Sequence, residues 1–249
     1  MTSEGSVGRL LPLLHASGHQ QMALDQLLLD QAPSDPVLRF YRWSGPWLSL
    51  GRNQHRWPSH WNDLAASGKL SLVRRPSGGQ AVLHAGGLTY ALIWPKAPRQ
   101  RQQAYQQACG WLIEGFRTLG EELRFGERPA VATGSNCFAR STSADLVDSR
   151  NVKRIGSAQR WQHGCLLQHG EILLDPPAEL WERVFVERAP MPAPPTIPRS
   201  GLDLLLTEAL QQQWSHQRWA VAPLRANERQ ELLQRGSSST FWARIDATT

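Results

Sequence analysis

From Leu70 to Trp94 the chain is cut by Gly, Pro and Ser into short apolar runs: Leu70 to Val73, Ala81 to Leu83 and Leu88 to Trp94. Separated by Pro76-Ser77-Gly78-Gly79 and Ala85-Gly86-Gly87, they read as strand, glycine turn, strand, second glycine turn, strand. This part of the chain is therefore committed to a sheet. A Gly-Gly pair alone does no more than supply the positive φ of a hairpin turn. Beside Arg74 and Arg75 it gains a second reading, because backbone without β-carbons approaches a bound molecule closely and two guanidinium groups suit a carboxylate or phosphate.

Around this core the chain alternates helices and strands. After a loose start, His19 to Gln31 places Met22, Ala23, Leu24, Leu27 and Leu28 on one helical face, with Asp25 and Gln26 turned away, and Pro33 to Pro36 end it. Val37 to Trp43 and Trp47 to Leu50 are strand-like about the turn Ser44-Gly45-Pro46, and the polar loop Gly51 to Gln54 follows. A short helix is expected from His55 to Ser67, and an amphipathic one from Gln100 to Leu119, where Ala104, Ala108, Trp111, Leu112 and Phe116 recur at three and four. Strands return at Ser143 to Val147, Lys153 to Arg160 and Cys165 to Leu174. Ala178 to Val186 reads as a helix, Pro190 to Pro198 as a stiff connection and Gly201 to Trp214 as a leucine-rich helix. A last helix is expected to begin at Asn227, capped by its side chain with Gln230 three residues on. The fold class is α+β, expected as one domain over residues 1–249, with a motif-bearing core at 20–190 and the helices of 200–249 packed back on it.

A net charge of +6 suits an acidic partner, whether nucleic acid, anionic membrane or protein. Lys/Arg blocks interleaved with aromatics are absent, which argues against nucleic acid. No run approaches a membrane span, and Met1 to Arg9 lacks the basic flank and apolar core of a signal peptide, so a cytoplasmic protein is expected. Cys109, Cys137 and Cys165 are too scattered for a disulfide framework or a zinc site, and no metal is expected. Of 27 basic residues only Lys69, Lys96 and Lys153 are lysine, so a lysine at a motif position stands out.

Arg74, Arg75, Ser77, Gly78, Gly79, Ala81, Val82, His84, Leu88, Thr89 and Tyr90 closely resemble the signature of biotin and lipoate protein ligases and transferases: Arg-Arg-x-(Ser/Thr)-Gly-Gly-x-Ala-Val-x-His, then Leu-Thr-Tyr. Gln80 stands where a third glycine is common and Gly87 where an acidic residue is common, so ligand contacts differ there. The loop Gly51 to Gln54 also looks like the family, in which it faces the ligand pocket. Lys153, Gly156, Ser157, Ala158 and Gln159, with His169-Gly170 ahead of an apolar strand, resemble the lipoate branch, from which Arg154 and Ile155 depart mildly. The resemblance covers roughly residues 20–175.

It implies a mixed or antiparallel sheet flanked by helices, and a pocket with Arg52, Arg74, Arg75, Ser77, Gly78, Gly79, His84, Gly156, Ser157, Ala158 and His169 as substrate-binding residues. Cys137-Phe138 resembles the cysteine octanoyltransferases, in which that cysteine takes the acyl chain as a thioester. That branch implies transfer of an octanoyl group from octanoyl-acyl carrier protein to a lysine of lipoyl domains, in 2-oxoacid dehydrogenases or the glycine cleavage H protein. Cys137 would be the nucleophile, Lys153 the electrostatic stabiliser, and no cofactor is needed. His84 and His169 read equally as aids to proton removal and as structural hydrogen-bonding groups. One alternative is an ATP-dependent lipoate ligase, with magnesium, Lys153 and Arg74 or Arg75 on phosphate, and Cys137 idle. The other is a catalytically silent binding protein, for which Gln80, Gly87 and Arg154 are the support.

Overall fold

The computed structural model describes residues 6–127 and 144–236. It opens on a strand that the sequence leaves unassigned, β1 (Val7–Ala16). Pro12 is the reason: proline cannot donate to a ladder and reads against an inner strand. Here the β1 register shifts between Leu11 and Leu14, so Pro12 falls in the irregularity, where no ladder N–H is needed. Ser17 then caps α1 (Gly18–Asp30) in a reciprocal box with Gln20.

The elements that follow are β2 (Val37–Trp43), β3 (Trp47–Leu50), α2 (His60–Ala66), β4 (Ser71–Arg74), β5 (Val82–His84), β6 (Leu88–Pro95), α3 (Arg101–Thr118), β7 (Arg124–Phe125), β8 (Leu146–Val147), β9 (Lys153–Gln162), β10 (Cys165–Ile172), α4 (Ala178–Phe185), α5 (Leu202–Gln213), β11 (Arg218–Val221) and α6 (Ala226–Gly236). Helix α2 starts at His60 rather than His55, since Pro58 biases Trp57 away from helical angles. Helix α6 starts one residue before the expected Asn227 cap. The Glu228 carboxylate accepts the Arg225 N–H at 2.7 Å and pairs with Arg9 at 2.7 and 2.8 Å, tying the last helix to β1.

A mixed sheet runs β11-β1-β2-β6-β10-β9-β8-β7, parallel where β1 meets β2 and β11 and antiparallel elsewhere. A smaller sheet runs β4-β3-β5. The three strands read between Leu70 and Trp94 are present, but they are not sheet neighbours in succession: β3 lies between β4 and β5, and β6 belongs to the large sheet. Gly78-Gly79 thus joins strands that are not neighbours. It is a loop free to reach across a cavity rather than a hairpin turn.

Alternation along β2 and β6 divides the core. Leu38, Phe40, Leu88, Tyr90 and Leu92 meet Trp111, Leu112 and Phe116 of α3 and Leu206 and Leu210 of α5. Val37, Tyr41, Ala91 and Ile93 meet Met22, Leu24 and Leu28 of α1 on the other face. The small sheet packs Leu48, Leu50 and Leu83 on Trp61, Trp181 and Phe185 of α2 and α4, and the Trp61 indole donates to the Val184 carbonyl at 2.6 Å. Helix α1 contacts β2, β4, β6, β10 and α6, so it is buried nearly all round. The expectation that Asp25 and Gln26 face away is therefore overturned: they are 0% and 8% exposed. No helix among the described residues is long and apolar enough to cross a membrane.

Candidate active site

An open-mouthed cavity draws its lining from both sheets and from α1. Met22, Tyr41 and Val82 give it an apolar side, Gly78 and Gly79 edge it from the loop, and Gly156, Ser157 and Ala158 of β9 and His169, Gly170 and Glu171 of β10 edge it from the large sheet. Lining the cavity among the residues singled out by sequence are Arg75, Gly78, Gly79, His84, Gly156, Ser157, Ala158 and His169; Arg52, Arg74, Ser77 and Lys153 are not part of that lining.

Those other residues hold the cavity's frame. A β-carbon on Gly51 would stand 1.8 Å from the Gly79 carbonyl oxygen, so only glycine allows the two loops to meet. The Arg52 N–H donates to the Ser77 carbonyl at 2.8 Å. Arg74 donates to the carbonyls of Gly51, Arg52 and Gln54 at 2.8, 3.3 and 3.0 Å, and Arg75 to those of Ser49, Gly78 and Gln80 at 3.0, 2.7 and 2.7 Å. Arg74 thereby ties down the loop after β3, and Arg75 joins the Gly78-to-Gln80 loop to β3.

His84 sits in a chain of hydrogen bonds whose direction is fixed by chemistry. Arg75 has only donors, so Ser49 Oγ accepts from it at 3.2 Å and turns its own proton toward His84 Nε2 at 2.8 Å. Nδ1 must then carry the ring proton, which it donates to Glu171 Oε2 at 2.8 Å. The Trp43 indole N–H donates to Thr89 Oγ1 at 2.7 Å, which sends the Thr89 proton to the same carboxylate oxygen. Trp43 also stacks on the imidazole at 3.9 Å between ring centroids. Burial pushes the His84 pKa down, against the pull of Glu171 at the cavity wall.

His169 is built the same way from different elements. Its Nδ1 lies 2.7 Å from Asp25 of α1, and its Nε2 lies 2.6 Å from the hydroxyl of Ser77. Asp25 also receives Arg39 at 3.1 Å and the Tyr41 hydroxyl at 3.0 Å, both fully buried. Beneath Ser157, a further chain joins its hydroxyl to Tyr90, Gln168 and the Cys109 thiol.

Lys153 is the first residue of β9 and is 5% exposed. Its ammonium lies 2.9 Å from Asp145, itself buried. Arg154 turns the other way, to Asp148 at 2.9 Å and the Met191 carbonyl at 2.6 Å. Cys137 lies outside the described residues. The other thiols are buried: desolvation raises Cys109 to about 11 and pushes Cys165 up as well, so neither is a ready thiolate. No group of three or more His, Cys, Asp or Glu among the described residues could hold a metal ion.

Sequence reasoning missed Asp25, Ser49, Glu171 and Asp145. Two signals were present: a carboxylate among Met22, Ala23, Leu24, Leu27 and Leu28, and another inside the apolar strand that runs from Cys165 to Ile172. Such carboxylates are rarely buried without partners.

A family profile for the lipoyl protein ligase A/B catalytic domain matches residues 17–219. An octanoyltransferase LipM from Lysinibacillus sphaericus is 36% identical over 179 residues, which is 66% of this chain and 64% of that relative's own length. The fold is that of a putative lipoate protein ligase from Thermoplasma acidophilum with bound lipoic acid, at a TM-score of 0.78 and 20% identity over 95% of this chain and 98% of the other. It is also that of a bipartite lipoate protein ligase solved as part of an archaeal lipoylation system with its E2 lipoyl domain, at a TM-score of 0.73 and 16% identity over 94% and 93%. With the profile spanning most of its length, this chain belongs to the lipoyl protein ligase A/B catalytic domain family.

Proposed function

We propose that the chain transfers an octanoyl group to a lysine of a lipoyl domain, taking it from octanoyl-acyl carrier protein through an acyl-cysteine at Cys137. The observation that carries this reading is the cavity, where small residues, Gly78, Gly79, Gly156 and Ala158, border an apolar floor of Met22 and Val82. Such a slot suits a short hydrocarbon chain. The octanoyltransferase relative supplies the acyl group by analogy, the resemblance at Cys137-Phe138 supplies the thiol, and the buried Cys109 and Cys165 do not compete with it.

In the first step the Cys137 thiolate attacks the carbonyl of the acyl thioester, and the carrier thiolate leaves. In the second, the acceptor lysine amine attacks the acyl-cysteine, the Cys137 thiolate leaves, and the amine loses a proton as the amide forms. Lys153 stabilises the oxyanion of each step, with Asp145 fixing its ammonium at 2.9 Å. The lipoyl domain is the acceptor by analogy with the archaeal ligase and its E2 domain, and an H protein of glycine cleavage fits the same role. The transfer consumes no ATP and no cofactor. The ligase alternative needs a cationic cradle for phosphate, whereas Arg74 and Arg75 are engaged by loop carbonyls.

Intact mass after mixing with octanoyl-acyl carrier protein, without ATP, tests the reading. An octanoyl adduct that hydroxylamine removes, and that Cys137→Ser lacks, is the expected result. No adduct, together with lipoylation of a lipoyl domain only when ATP, magnesium and lipoate are added, would overturn it in favour of the ligase.

A further inference from the structure

We propose that Glu171 is the positioning residue of this site: a carboxylate delivered from β10 that fixes the His84 tautomer and supplies negative charge beside position 87, where the signature commonly has an acidic residue. The proposal rests on the transferase reading for its catalytic consequence, and on geometry for the rest. A β-carbon built on Gly87 would meet Glu171 Oε1 at 2.0 Å and Cδ at 3.0 Å. The carboxylate therefore fills the volume in which a side chain at 87 would begin, and the glycine there and the glutamate across the ladder are one feature.

Glu171 is 2% exposed, and its only ionic partner among the described residues is His84. Its hydrogen bonds, from His84 Nδ1 and Thr89, both fall on Oε2. A neutral amide oxygen would satisfy those two donors with less desolvation cost, so what the carboxylate adds is charge directed at the imidazole. That charge matters when a proton arrives. The proton lost by the attacking amine passes to Ser49 Oγ as the Ser49 proton moves to His84 Nε2, and the imidazolium so formed remains bonded through Nδ1 to Glu171.

The experiment follows the titration of His84 by nitrogen NMR beside the pH dependence of octanoyl transfer, in the full chain. Glu171→Gln is expected to lower the His84 pKa by about one unit and to move the acid limb of kcat/KM the same way, with a loss of about tenfold or more. A second pair of variants separates charge from packing: Gly87→Glu/Glu171→Ala and Gly87→Gln/Glu171→Ala. Both must absorb a remaining contact of 2.8 Å between the new β-carbon and the Ile172 carbonyl oxygen. The charged version is expected to raise the His84 pKa back toward the native value and to be about fivefold more active than the neutral one.

An unchanged His84 titration in Glu171→Gln would overturn the proposal. So would identical titrations in the charged and neutral swaps. A native chain that transfers no octanoyl group would remove the transferase reading instead, while the NMR titration still decides whether Glu171 governs His84.

Discussion

His84 and His169 each present Nδ1 to a carboxylate and Nε2 to a serine hydroxyl, at 2.8 and 2.8 Å in one case and 2.7 and 2.6 Å in the other. Behind the imidazoles the two arrangements diverge. Asp25 faces the Arg39 guanidinium, so its charge is cancelled where it is buried. Among the described residues Glu171 accepts from Thr89 and from the His84 ring and pairs with no guanidinium. A cancelled pair in the interior holds helix α1 to β2 and β10 and has little field left over. An uncancelled carboxylate is costly to fold, and it spends its field on the group beside it. The same carboxylate–histidine–serine pattern is therefore an anchor in one place and a tuning device in the other.

Removing the anchor carries the largest expected effect. Asp25→Asn leaves Arg39 buried without its counter-charge, which costs about 3–5 kcal/mol and should be read as a lowered urea midpoint. A loss below about 1 kcal/mol would mean that Arg39 finds another partner and that the Asp25 end is no anchor. Tyr41→Phe removes one hydrogen bond to the same charged acceptor and should cost about 1.5–3 kcal/mol. Glu171→Gln, by contrast, keeps an acceptor for both donors and relieves a buried charge, so its effect on the urea midpoint should fall within about 1 kcal/mol. If Glu171→Gln unfolds the chain as readily as Asp25→Asn, the contrast between the two ends is lost.

What was legible in the sequence follows the same division. The glycine loop, His84, and the Gly156-Ser157-Ala158 strip were readable because signature and spacing are local properties of the chain. Helix α3 was readable from its apolar period, and strands β2, β6 and β10 from largely apolar runs bounded by turn residues. The partners of the carboxylates were not, because Asp25 on a helix carries no mark of what lies 14 and 144 residues away, and its burial comes from contacts on every side of α1. Strand β1 was hidden by Pro12, which the fold tolerates by breaking the ladder at that point. Strand pairing was hidden for a related reason: β4 and β5 follow each other along the chain, whereas tertiary packing inserts β3 between them.

The smallest expected effect sharpens the comparison through pH. His84 has its pKa lowered in the folded chain, burial being the main cause, with Arg75 and His169 pushing the same way and Glu171 opposing them. The folded state thus binds fewer protons than the unfolded chain as pH falls through the ordinary imidazole range, and stability must fall with it. The loss begins near pH 6.5 and stops growing once the pH is below the folded pKa, where both states are protonated. Each unit of lowering is worth about 1.4 kcal/mol. His19, also lowered by burial, contributes in the same direction, so a His84→Gln variant should keep part of the slope and lose the rest. Urea unfolding at pH 7.5 and 5.5 measures it: the native chain should lose more stability between the two than the variant does, whatever their absolute values. Equal losses would place the pH sensitivity elsewhere and leave His84 as freely protonated in the fold as out of it.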